Sequence, residues 1–102
     1  MNPIIAQKLP ELRELCVRHQ VARLELIGSA ATGQFDPSRS DLDFLVTFSP
    51  GADKPWMGEY FNLKRDLEAL TGRSVDLVMP GAIRNPYFLE SVSAARTLLY
   101  AA

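Results

Sequence analysis

The chain has 102 residues, the size of one domain, with 47% hydrophobic and 23% charged residues, a balance that excludes extended disorder. Eleven Lys and Arg against twelve Asp and Glu give a net charge of -1, so the basic excess of a polyanion-binding surface is missing and direct nucleic-acid binding is not expected. A single Cys and a single His exclude an internal disulfide, a Cys-rich zinc site and a His-pair metal motif.

No apolar run approaches the roughly 20 residues that a membrane span needs, and a cytoplasmic location is expected. No repeat or break in composition divides the chain, so residues 1–102 read as a single domain.

Asn2-Pro3 is a cap followed by a first-turn proline and predicts a short helix over residues 3–8. Pro10 should interrupt it, with a second helical segment over 10–19 carrying Leu12, Leu15 and Cys16 on one face. Residues 21–27 read as a strand. It ends at Gly28-Ser29-Ala30-Ala31-Thr32-Gly33, and a polar loop around Asp36-Pro37-Ser38 follows.

Residues 41–48 alternate, with Leu42, Phe44, Val46 and Phe48 on one side and Asp41, Asp43, Leu45 and Thr47 on the other. Trp56, Tyr60, Leu63, Leu67 and Leu70 form a helical stripe that Gly72 is placed to end. Residues 74–79 are a third strand. Asn85-Pro86 caps a helix reaching about residue 93, and 97–100 make a last edge strand. The passage from the second strand through a helix to the third suits parallel pairing. The expected class is α/β (α+β), a small mixed sheet with helices packed against it.

The carboxylates carry the chemistry. Asp41 and Asp43 share one face of a strand, roughly 7 Å apart at the backbone. That pair alone reads first as a wet face. Asp76, however, lies mid-strand between Val75 and Leu77, where an acidic residue needs a reason. In parallel register it joins the other two, and three converging carboxylates suit Mg²⁺ or Mn²⁺. Such a site clamps phosphate oxygens for in-line displacement. Upstream, Gly28-Ser29 leaves a strand and opens a small-residue turn, a candidate phosphate cradle.

The run Gly28-Ser29-Ala30-Ala31-Thr32-Gly33 with Ser40-Asp41-Leu42-Asp43 resembles the nucleotidyltransferase signature of the DNA polymerase β superfamily. The length and layout resemble its minimal members, the MNT domains, the MntA-like antitoxins of HEPN/MNT toxin–antitoxin pairs, and Asn85-Pro86-Tyr87 fits that likeness. The resemblance implies the polymerase β-like nucleotidyltransferase fold, with Asp41, Asp43 and Asp76 as catalytic metal ligands and Asp76 also helping to activate the nucleophile. It implies nucleotide contacts at Gly28, Ser29, Thr32, Gly33 and Ser40. ATP would be the substrate, Mg²⁺ or Mn²⁺ the cofactor, and a tyrosine of a HEPN toxin the acceptor of AMP. Many members carry Arg where this chain has Thr32, and a guanidinium makes bidentate phosphate contacts that a hydroxyl does not. Arg39 and Arg84 are candidate replacements.

Three functions stand side by side on this reading. The chain is a metal-dependent nucleotidyltransferase, an antitoxin that neutralises by contact, or a nucleic-acid-binding module; the charge balance disfavours the last. The remaining conspicuous residues read as structural. Cys16 is a buried small apolar group, His19 complements a helix C-terminus, Lys64 and Glu68 are a helix-surface pair, and Trp56, Tyr60, Tyr87 and Phe88 pack; the alternatives are adenine stacking or partner docking for Trp56 and Tyr60 and an interface for Tyr87 and Phe88.

Overall fold

The computed structural model describes residues 2–32, 41–50, 58–80 and 96–102. Helix α1 spans Pro3–Arg18 and begins as the sequence requires. Asn2 Oδ1 accepts from the backbone N–H groups of Ile4 at 2.9 Å and Ile5 at 3.4 Å, and Pro3 occupies the first turn. The break expected at Pro10 does not occur: α1 runs through it as one helix. Pro10 and Ala6 are exposed, so the Ala6 carbonyl, which has no N–H partner at Pro10, can turn to water. Ile5, Leu12, Leu15 and Cys16 are buried along both halves of α1, and that shared apolar face holds the two halves in line.

Strand β1 (Val21–Ile27) follows, then a four-residue helix α2 (Ser29–Thr32) and strand β2 (Leu42–Phe48). Helix α3 spans Glu59–Thr71 and stops at Gly72, whose φ of 68° is the left-handed cap that glycine adopts without strain. Strand β3 (Val75–Val78) and strand β4 (Thr97–Ala101) complete the sheet, so the last strand forms where the sequence puts it. The helix expected over 85–93 and the positions of Trp56, Tyr87 and Phe88 lie outside the described residues.

The strand order is β3-β2-β1-β4. β1 is antiparallel to both β2 and β4, while β2 and β3 run parallel, as a helical crossover dictates. Leu42, Phe44 and Val46 of β2, Leu24 and Leu26 of β1, and Leu77 of β3 face Leu12, Leu15, Leu63 and Leu67 of the two long helices in one buried cluster. Burial pushes the Cys16 thiol up to about 12, as befits a small group sealed in that core. The α3 crossover sets Asp43 of β2 directly beside Asp76 of β3.

Candidate active site

Asp43 and Asp76 are register partners on adjacent parallel strands, and their side chains meet in a hydrogen bond. Two carboxyl groups hydrogen-bond only by sharing a proton. Accordingly Asp43, half-buried, is pushed up to about 6, first by burial, then by the hydrogen bond and negative charge of Asp76, and then by the charge of Asp41. Asp41 is exposed, one residue before β2 begins. Among the described residues, no three His, Cys, Asp or Glu side chains stand together as a ready metal-ligand set. The structure joins Asp43 to Asp76 and leaves Asp41 within electrostatic reach of them.

Gly28 closes the other side. Its φ is +70°, a conformation that disfavours a side chain, and a Cβ there would stand 2.3 Å from Asp43 Oδ2. Glycine is thus the residue that lets the turn after β1 approach the Asp43 carboxylate. The Gly28 carbonyl accepts from Ala31 N–H at 3.0 Å, and Ala30 is buried against the core, which fixes the turn. Ser29 and Thr32 begin and end α2. Gly33, Ser40, Arg39 and Arg84 lie outside the described residues.

Ile27, Gly28, Asp43, Tyr60, Lys64, Asp76, Leu77 and Val78 line a cleft of about 260 Å³. Two of these, Tyr60 and Lys64, are not among the expected site residues: Tyr60 reads first as core packing, with base stacking as its alternative, and Lys64 as a surface pair with Glu68. The Tyr60 hydroxyl donates to the Leu77 carbonyl on the sheet edge. Glu68 does not serve as a surface partner for Lys64: its carboxylate accepts from Val75 N–H at 3.1 Å. Their spacing of four, Tyr60-Lys64-Glu68, was the available signal. It describes one helix face turned towards β3.

His19 has a structural role of a different kind from the one expected. It is buried at the end of α1, with Nδ1 2.8 Å from Glu59 Oε2 and Nε2 2.7 Å from Asp66 Oδ2. The two carboxylates engage opposite ring nitrogens, which ties α1 to α3.

The nucleotidyltransferase domain family matches residues 9–99. A candidate protein adenylyltransferase of Methanocaldococcus jannaschii is 33% identical over 92 residues, covering 82% of this chain and 90% of the relative. A second from the same organism is 36% identical over 75 residues, covering 74% and 72%. Among solved structures, a candidate minimal nucleotidyltransferase superposes with a TM-score of 0.73 at 31% identity, over 91% of this chain and 90% of that one. A toxin–antitoxin solved with AMP-PNP shares the fold at a TM-score of 0.69 and 19% identity, over 92% and 73%. The family match over nearly the whole chain agrees with the strand order and with the carboxylate pair beside Gly28, and this chain belongs to the nucleotidyltransferase domain family.

Proposed function

We propose that the chain is a metal-dependent protein adenylyltransferase that moves AMP from ATP to a tyrosine hydroxyl of a HEPN-type toxin, and thereby acts as an antitoxin. The observation that carries this reading is the Asp43–Asp76 pair pressed together beneath Gly28 in an open cleft. Like charges brought this close are costly without a cation, and an all-oxygen donor set suits Mg²⁺ or Mn²⁺. Asp43 and Asp76, with Asp41 at their edge, would hold the cation, which when bound offsets charge on the phosphate oxygens.

The residues of the chain then have separable tasks. Gly28 lets the polyphosphate approach the backbone, Ser29, Thr32, Gly33 and Ser40 contact the nucleotide, and Asp76 accepts the proton of the attacking hydroxyl. The tyrosine oxygen forms a bond to the α-phosphorus, the bond to the bridging oxygen breaks, and pyrophosphate leaves with the electron pair. The two adenylyltransferase relatives support a protein acceptor. A solved complex of a tri-AMPylated Shewanella oneidensis HEPN toxin with an MNT antitoxin, at a TM-score of 0.64 and 16% identity over 95% of this chain and 72% of that one, motivates the choice of partner. We place the reaction in the cytoplasm, where ATP is available, and take residues 1–102 as one catalytic domain. Among the described residues, no helix is long and apolar enough to cross a membrane.

A second reading has one observation in its favour. The α2 turn carries no basic residue, with Thr32 where the resemblance puts Arg, which suits a protein that neutralises its partner by contact. The deciding experiment is incubation with labelled ATP, Mg²⁺ and the product of the neighbouring gene. Label on that partner, lost with Asp43→Asn, supports transfer; neutralisation of the partner without label supports contact alone.

A further inference from the structure

We infer that Lys64 is a phosphate-binding residue of the cleft: tied to β3 by the hydrogen bonds of Tyr60 and Glu68 on either side of it, it meets phosphate oxygens of the bound nucleoside triphosphate. The inference rests on the nucleotidyltransferase reading and adds a residue that neither the glycine turn nor the aspartates contain.

The placement comes from the helix face. Tyr60, Lys64 and Glu68 are four residues apart and therefore share one side of α3. The outer two both bond the backbone of the edge strand, Tyr60 at the Leu77 carbonyl and Glu68 at Val75 N–H. Helix and strand thus run in opposite senses, and Lys64 comes level with Asp76, the residue between Val75 and Leu77. The cleft agrees, since Lys64 lines it together with Asp43, Asp76 and Gly28.

The charge makes the function specific. Among the described residues that line the cleft, Lys64 is the one cation against two aspartates. It makes no ion pair or hydrogen bond among the described residues, so it is not an internal counter-ion of the pair and its three donors are uncommitted. A triphosphate entering here meets carboxylates on the β2–β3 side and no basic residue on α2. An ammonium beside the carboxylates complements the phosphate charge, because a lysine is a mobile point charge that binds phosphate without demanding planar geometry.

The test is binding of the α,β-methylene analogue of ATP, with Mg²⁺ and without acceptor, measured by calorimetry at several salt concentrations. Lys64→Met keeps the aliphatic stem and removes the charge; it should weaken binding roughly ten- to a hundredfold and flatten its salt dependence. Lys64→Arg should stay within about threefold of the parent, since it restores the charge. Unchanged binding in Lys64→Met overturns the assignment, and so does an equal loss in both variants with the parental salt dependence, which would mark a packing residue. A parent protein that binds no nucleotide overturns the nucleotidyltransferase reading along with it. A parent that binds, loses binding with Asp43→Asn and keeps it with Lys64→Met overturns the role of Lys64 alone.

Discussion

Two places in this molecule gather carboxylates, and they solve the problem in opposite ways. At the α1–α3 junction, Glu59 and Asp66 stand on either side of buried His19, each within 2.8 Å of a ring nitrogen. The imidazole ring stands between the two carboxylates, leaving no like charges in direct contact. In the cleft, Asp43 and Asp76 face each other directly, and Lys64 nearby pairs with neither among the described residues. The first cluster is complete in the folded chain. The second is incomplete until something positive arrives, and an incomplete cluster is what a binding site requires.

The largest effect should come from neutralising the incomplete cluster. Asp43→Asn should bring transfer to background while making the metal-free protein more stable at neutral pH, by about 1 kcal/mol once solvent screening of this half-buried group is allowed for. Opposite signs for activity and stability are the signature of a functional charge. A variant that lost stability and kept activity would place Asp43 with the structural carboxylates instead.

Gly28→Ala attacks the same cluster through the backbone. The new Cβ would lie 2.3 Å from Asp43 Oδ2, and the φ of +70° adds strain of roughly 1–2 kcal/mol. The clash falls on the Asp43 side chain itself, so Mg²⁺ affinity should fall sharply along with the melting temperature. Wild-type Mg²⁺ affinity in this variant, measured by calorimetry, is the result that would break the link between the glycine turn and the carboxylate.

The completed cluster should answer to the opposite test. His19→Ala leaves Glu59 and Asp66 without their shared donor, at a cost of about 1–3 kcal/mol, or roughly 10 °C in melting temperature for a domain of this size. His19→Gln, which can still donate one hydrogen bond, should recover part of it. Equal melting temperatures for the parent and His19→Ala would show that the clamp contributes nothing.

The difference in legibility between the two clusters has a physical cause. Asp76 stood out because an acidic residue in the middle of Val75–Val78 defies the preference of a strand, and the helical crossover then fixed its partner as Asp43. The His19 clamp depends on pairings 40 and 47 residues apart in the chain, which no local pattern encodes. Lys64 was hidden for a related reason. Its neighbour at the i+4 position, Glu68, suggested a surface ion pair, whereas the packing of α3 on β3 draws Glu68 to Val75 and leaves the lysine to the cleft. Pro10 shows a local rule losing outright: the apolar face that runs from Ile5 to Cys16 outweighs the single hydrogen bond a proline removes.

The smallest effect, and the sharpest on the contrast, is the pH dependence of the metal-free protein. Burial and the two neighbouring carboxylates raise Asp43 to about 6 in the folded chain, above the ordinary carboxylate value it has when unfolded. Below about pH 4 both states hold the proton and the stabilising contribution is fully present. Between about pH 4 and 6 the folded chain keeps its proton after the unfolded chain has released it, so stability falls as pH rises and levels off above about 6. A separation of that size corresponds to at most about 3 kcal/mol, and solvent access to the half-exposed group reduces it to about 1 kcal/mol. Thermal melts from pH 4 to 7.5 should show this decline in the parent and a flatter profile in Asp43→Asn. Mg²⁺ should stabilise the parent by mass action at pH 7, where Asp43 is ionised, and have little effect at pH 4, where a proton occupies Asp43. The His19 cluster is intact in both proteins, so whatever it contributes cancels in the difference. Parallel pH profiles for the parent and Asp43→Asn would therefore locate the titration outside the cleft and remove the electrostatic argument for a cation there.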